Sequence, residues 1–287
     1  MKNVQEIIAE SRANNNVLSD DLIATLDETE EYIKDNDIYC KKCDTRRTCF
    51  GFTRKVRCIC KCQKEAKDQE EEEVRKKERL KRIEKLREAS LLGDRYKTVS
   101  FETTDLYNAD YELVFNRCKK YCEVADQVLN RGIGIYLFGS KGVGKSHLTA
   151  CMANKLMENY YTVLFTNFSE ISKSIRSSFG KKGKTELEFM DKLGSIDFLF
   201  IDDFGTELLT KNEQDLWLQE KVFDIVNKRY NNNKPIIFTS NYTLSQMINS
   251  RGLADKTADR IMEMCETMKL EGDSYRKKVK KQSEPIF

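Results

Sequence analysis

The chain has 287 residues, 34% of them charged and 39% hydrophobic, with only 13 Gly and 2 Pro; this globular balance excludes collagen-like and low-complexity chains and leaves room for one large domain or two unequal ones. Fifty Lys and Arg against 47 Asp and Glu give a net charge of +3, so affinity for an acidic partner has to come from local patches rather than from the total. There is no apolar run of about 18 residues and no basic start followed by an apolar stretch, and the expectation is a cytoplasmic protein that neither spans a membrane nor is exported.

Residues 1–39 carry three basic and ten acidic side chains and read as an acidic, helical N-terminal arm. Residues 40–62 reverse the sign, with eight basic side chains and one acidic, and hold six of the ten cysteines as Cys40-x2-Cys43-x5-Cys49-x8-Cys58-x-Cys60-x-Cys62. Without an export signal these thiols are expected to be reduced, and two close pairs separated by a basic loop suit tetrahedral Zn²⁺. Four thiolates do not by themselves choose a metal, and an iron–sulfur cluster is the alternative. A module of residues 40–63 is too short to bury a sufficient apolar core, so a metal clamp would have to hold it. Residues 64–90 are nearly all charge, with Glu71 to Arg75, Glu72 to Lys76, Glu73 to Lys77 and Glu78 to Arg82 spaced i,i+4, which predicts a solvated connecting helix. Its apolar residues are too few for a coiled-coil stripe.

From residue 91 to 279 the texture changes. Tyr111, Val114, Cys118, Tyr121, Cys122, Ala125, Val128 and Leu129 recur at three- and four-residue spacing and predict an amphipathic helix. Short apolar runs beginning at Ile133, Thr162, Phe198 and Pro235 read as buried parallel strands. Helical segments near 145–160, 169–178, 186–193 and 213–230 separate them. The expected fold is α/β, a central parallel sheet flanked by helices, with its ligand site at the carboxyl ends of the strands. Cys118, Cys122, Cys151 and Cys265 fall at or near apolar helical positions and read as core. Residues 280–287 form a tail.

Gly139-Ser140-Lys141-Gly142-Val143-Gly144-Lys145-Ser146 fits G-x-x-x-x-G-K-[ST] directly after the first strand. Its glycines let backbone N–H groups turn toward the phosphates of ATP, and the following helix adds its positive end. Lys145 is expected on the β/γ-phosphates and Ser146 on Mg²⁺. His147, the sole histidine, follows in the loop helix and is expected with residues 139–146 around the bound nucleotide, where packing is a simpler role for it than catalysis. The strand FLFIDD supplies Asp202 as the metal carboxylate and Asp203 to orient or deprotonate the attacking water, with Glu207 competing for that task. The strand PIIFTS ends at Thr239-Ser240-Asn241, which places a neutral polar side chain, Asn241, beside the γ-phosphate. Beyond the second strand, Lys173, Arg176, Lys181, Lys182 and Lys184 surround Phe179, and Gly180 and Gly183 loosen the segment. Cations with an aromatic are what a surface tracking single-stranded DNA requires. The basic run from Arg276 to Lys281 is a weaker candidate. A small-molecule kinase would instead need an acceptor site and a basic lid downstream of the loop.

GSKGVGKSHL, LFIDDFGTE, the helix ending NKRY, and IIFTSN, in this order, resemble the AAA+ ATPases of the DnaC/DnaI helicase-loader family, whose fold the IstB transposition helpers share. The resemblance spans about residues 91–279. It reaches upstream, because a CxxC followed by CxC-Gln and a charged helix is similar to DnaI-like loaders; it implies Cys40, Cys43, Cys60 and Cys62 as the zinc ligands. The extra cysteines depart from the pattern, and Cys49 or Cys58 could replace one ligand. Asp259-Arg260-Ile261 matches the family's D-R-[IVM], implying Arg260 as a finger acting on a neighbouring subunit's nucleotide. Ser274-Tyr275-Arg276 matches S-Y-R, implying Arg276 as a second sensor, with Arg229 and Arg251 as substitutes for the finger. The resemblance thus implies an ATP-hydrolysing loader that assembles with copies of itself and binds a replicative DNA helicase and single-stranded DNA. The alternatives are an IstB-like transposition helper and a nucleotide-gated binding protein with negligible turnover.

Overall fold

The computed structural model describes residues 18–51, 54–90, 92–178, 186–206 and 213–275. The chain divides into two compact units, residues 1–78 and 79–287.

In the first unit a short helix, Asp20–Ala24 (α1), precedes two antiparallel hairpins. Glu31–Lys34 (β1) pairs with Asp37–Cys40 (β2), and Thr48–Phe50 (β3) pairs with Lys55–Arg57 (β4). Asp35 and Asn36 lie at φ 50° and 59°, the left-handed pair that closes a two-residue hairpin turn. The expectation of a helical arm therefore fails over residues 31–39. The reason is tertiary: the strand buries Glu31, only 2% exposed, against Arg47 and Arg57, each 2.5 Å from its carboxylate. The helix Lys61–Ala89 (α2) follows. Its charged stretch is exposed as expected, and Arg75 lies 3.8 Å from Glu71.

In the second unit, the end of α2 is not merely solvated. Ile83 and Leu86 are buried, and Arg79 and Arg82 donate to the Tyr160 carbonyl and the Ser195 hydroxyl. After Asp94–Lys97 (α3), the expected amphipathic helix forms as two pieces, Ala109–Glu123 (α4) and Ala125–Arg131 (α5), broken at Val124. Asn108 caps α4 by accepting the Tyr111 amide at 2.7 Å. Strands and helices then alternate: Gly134–Gly139 (β5), Lys145–Glu158 (α6), Val163–Asn167 (β6), Phe168–Ser178 (α7), Glu186–Ser195 (α8), Phe198–Phe204 (β7), Glu213–Asn231 (α9) and Ile236–Ser240 (β8). Leu244–Arg251 (α10), Asp255–Met264 (α11) and Cys265–Leu270 (β9) follow.

The five strands form one sheet in the order β6-β7-β8-β5-β9, with every pairing parallel. Successive side chains leave opposite faces. Ile135 and Leu137 join Phe165, Phe200 and the inner faces of α4 and α6, whereas Tyr136 joins Leu199, Phe238 and helices α7 to α11. Two apolar cores thus sandwich the sheet. Strand β9 had no clear signal in the sequence: only Cys265, Met268 and Leu270 are buried, the rest of its six residues being exposed at a sheet edge. Its pairing with β5 carries the segment after residue 244 back onto the main sheet. Cys118, Cys122, Cys151 and Cys265 are all buried, as expected, and burial raises each thiol above its ordinary pKa.

Candidate nucleotide site and cysteine cluster

The carboxyl ends of β5, β7 and β8 meet at a cleft of about 410 Å³. Gly139 ends β5 at φ 153°, and a Cβ there would lie 2.0 Å from the Leu270 carbonyl oxygen, so only glycine lets the chain turn between these strands. Gly144, at φ 93°, starts α6 and carries no capping side chain. The first-turn amides of a helix lack intrahelical partners, and without a side-chain cap those of α6 can meet phosphate oxygens. Lys141, Gly142, Lys145, Ser146 and His147 line the cleft.

Lys145 is 7% exposed, and its ammonium donates at 2.9 Å to each of three oxygens: the carbonyls of Gly139 and Ser140 and the Asn241 side chain. Asn241 in turn donates to Asp203 at 2.7 Å. Residues 96 positions apart in the chain thus share one hydrogen-bonded path from the loop through the end of β8 to the end of β7. A phosphate entering the loop would replace the two carbonyls as partners of Lys145, a charge-assisted exchange.

Thr239, in the sequence only part of the polar strand end, has a task of its own. Its hydroxyl donates to Asp202 at 2.5 Å and accepts the Asp203 amide at 2.8 Å. It thereby fixes one oxygen of Asp202 and the backbone of Asp203, which sits at φ 54°. The signal was the threonine two residues before Asn241 at the same strand end, readable only once β7 and β8 are known to be neighbours.

The other wall was missed. Tyr96, Thr103, Thr104, Asp105, Tyr107, Tyr111 and Tyr275 line it. Tyr107 donates to the Val143 carbonyl at 2.5 Å, and its ring centre lies 4.5 Å from that of Tyr111 and 5.3 Å from that of Tyr275. Burial raises the Tyr107 and Tyr111 phenols above their usual pKa, so both stay protonated donors. His147 lies 3.1 Å from the Thr104 hydroxyl, tying the loop helix to this wall. One side of the cleft thus carries the loop lysine and the strand-end carboxylates, and the other adds four tyrosines among polar Thr103, Thr104 and Asp105, a mixture that suits a ligand with phosphates and a planar base.

In the first unit, the sulfurs of Cys40, Cys43, Cys60 and Cys62 all lie within 4.8 Å of one another. Cys62 is 3.3 Å from Cys60 and 3.6 Å from Cys40. Sulfurs bound tetrahedrally at about 2.3 Å stand close to 3.8 Å apart, so the set fits zinc. The Thr45 hydroxyl, 2.9 Å from Cys43, helps hold that thiol down at about 5, while the contact with Cys60 pushes Cys62 up to about 12. Four thiolates so close repel one another, and a bound cation is what would let all four ionise. Cys49 and Cys58 lie outside the four.

The profile of the IstB-like ATP binding proteins matches residues 65–283, well over half of the chain. The chain belongs to this family. Among curated relatives of this IstB-like chain, the phage-like element PBSX protein XkdC of Bacillus subtilis is 30% identical over 167 residues, 58% of this chain and 55% of XkdC. The match thus spans about half the length of that relative. The replicative helicase loader DnaC of Buchnera aphidicola is 24% identical over 215 residues, covering 72% of this chain and 81% of that protein. A crystal structure of the DnaC helicase loader shares the fold, with a TM-score of 0.53 and 23% identity over 62% of this chain and all of that one.

Arg260 does not line the cleft of its own chain. Its guanidinium carbon lies 4.9 Å from the ring centre of Phe223 and 5.4 Å from that of Tyr230. Arg251 is 4.0 Å over the Tyr242 ring. Arg229 is corrected from substitute finger to framework residue: it is fully buried, and its guanidinium donates to the carbonyls of Leu193, Ile196, Asp197 and Pro235 at 2.5–3.0 Å. Glu207, Arg276, Lys181, Lys182 and Lys184 lie outside the described residues. No described helix is long and apolar enough to cross a membrane.

Proposed function

We propose that this IstB-like protein is an ATP-hydrolysing DNA replication factor, a loader that binds a replicative helicase and single-stranded DNA and assembles with copies of itself. The observation that carries this reading is the path Lys145–Asn241–Asp203, with Asp202 tied to it through Thr239. A loop lysine and two carboxylates suit phosphoryl transfer, and a neutral amide touching both reports whether the γ-phosphate is present. Lys145 would neutralise the β/γ-phosphates, Ser146 and Asp202 would hold Mg²⁺, and Asp203 would orient the water. Arg260 would reach the nucleotide of a neighbouring copy, and Arg276 would serve as the second sensor. Lys181, Lys182 and Lys184 would contact single-stranded DNA. Zinc held by Cys40, Cys43, Cys60 and Cys62 would keep the N-terminal module folded for the helicase, and the protein would act in the cytoplasm. The names of the DnaC and DnaI relatives support the loader reading.

Membership of the IstB-like ATP binding proteins, together with the resemblance to IstB transposition helpers, supports a second reading, an ATP-dependent helper of a transposase. ATP hydrolysis by the full chain, measured with and without single-stranded DNA and with a replicative helicase, tests the first. Turnover that responds to single-stranded DNA, together with a stable complex with the helicase, is expected. Hydrolysis that ignores both partners would count against the loader, and absence of hydrolysis would leave a nucleotide-gated switch.

A further inference from the structure

Helices α7 and α9 bring together three side chains that the nucleotide site does not use. Arg176, exposed in the last turn of α7, places its guanidinium carbon 5.0 Å from the centre of the Trp217 ring. Lys221, one turn further along α9, has its ammonium 5.9 Å from the same ring. The two cations are not equivalent. Lys221 is matched by Glu186 at 2.5 Å and Asp224 at 3.4 Å, whereas Arg176 forms no ion pair with any described carboxylate. Trp217 is half-buried and packs against the core beneath it, and the neighbouring Leu216 is 61% exposed.

A guanidinium over an indole is pre-organised, because the ring's quadrupole holds the charge while its N–H donors stay available to a second ligand. That ligand must supply an anion for the donors and a flat π-face to extend the stack. An acidic peptide meets only the first requirement. Single-stranded nucleic acid meets both, since each phosphate is followed by a base free to leave its neighbours and stack on an aromatic or an arginine plane. Duplex DNA keeps its bases paired and offers only the phosphates.

We propose that Arg176 and Trp217 form a stacking platform for bases of single-stranded DNA, with Arg176 between the indole and a base and also contacting a phosphate. This rests on the reading that the protein binds single-stranded DNA.

Trp217 is the sole tryptophan of the chain, so its emission reports on this surface alone. The full-length protein is titrated with a labelled oligo(dT) while tryptophan emission and oligonucleotide anisotropy are followed together. Emission is expected to change in step with anisotropy. Arg176→Ala, at an exposed position, is expected to weaken binding about tenfold and lower the salt slope by about 0.7. Trp217→Phe is expected to bind better than Trp217→Ala, with folding of each checked by circular dichroism. A rise in anisotropy with unchanged emission, or with Arg176→Ala binding as wild type, would overturn the platform and leave DNA binding elsewhere intact. Equal affinity for duplex DNA would also overturn it. No rise in anisotropy would remove the platform and the single-stranded DNA reading together.

Discussion

Lys145 illustrates how a single side chain depends on groups far away in sequence. A buried ammonium needs acceptors, and those of Lys145 include two loop carbonyls and Asn241. Lys145→Ala removes the charge that would meet the β/γ-phosphates and is expected to lower ATP turnover by at least about a hundredfold; wild-type turnover would refute the phosphate-loop assignment. Asp202→Asn keeps an oxygen that can accept from Thr239 but loses the charge for a metal. It is expected to reduce Mg²⁺-dependent turnover more than nucleotide affinity, and a Mg²⁺ titration indistinguishable from wild type would count against that role. Asp197 offers a test of stability instead. Burial alone would raise its carboxyl, but the amide and hydroxyl of Thr162 and the Lys234 ammonium outweigh it and hold the pKa below the ordinary value. A depressed folded pKa contributes stability above the unfolded value of about 3.9, and that contribution is lost as pH falls through the lower folded value. Melting curves between pH 5 and 2 are therefore expected to show a shallower acid slope for Asp197→Asn than for wild type.

At the scale of elements, the cysteine module has little else to hold it. Its buried residues include Leu18, Ile38, Cys40 and Cys60, together with Thr48 and the ion-paired Glu31. Glu31→Gln leaves Arg47 and Arg57 without their shared anion, and a cost of about 3 kcal/mol or more is expected in the module's unfolding. With zinc bound, alkylation read by mass spectrometry is expected to reach Cys49 and Cys58 first, because the other four sulfurs of the module are the proposed ligands. After chelation all six should react, while the four buried thiols of the second unit stay protected until global unfolding. Protection of Cys49 or Cys58 in the zinc form would change the ligand set.

At the scale of the whole molecule, the candidate nucleotide site has no arginine among its described lining residues, and in many phosphoryl-transfer sites a guanidinium stabilises the transition-state charge on the γ-phosphoryl group. Arg260, held against Phe223 and Tyr230, is the proposed donor to a neighbouring copy. Arg260→Ala is expected to keep ATP binding and lose hydrolysis by about 10³-fold or more. Mixing it with a Lys145→Ala chain should restore turnover at shared interfaces. A mixture that stays inactive while wild type assembles and turns over would remove Arg260 as a finger in trans and make Arg251 the next residue to replace.

Local patterning sufficed for much of this protein. The phosphate loop, the four core strands and the helices between them were legible because their apolar periods and glycine spacing are properties of short segments. The four convergent cysteines were legible with the help of a family resemblance. What only the tertiary structure decided lies between segments. Glu31 is a strand residue because Arg47 and Arg57 await it, and Arg229 is framework because three carbonyls between residues 193 and 197 and a fourth at Pro235 close around its guanidinium. Thr239 acquires a task only because β8 lies beside β7, and β9 is a strand only because β5 offers it an open edge. In each case the deciding partner is remote in the chain, and burial of charge or backbone without such a partner costs more free energy than local preference can supply.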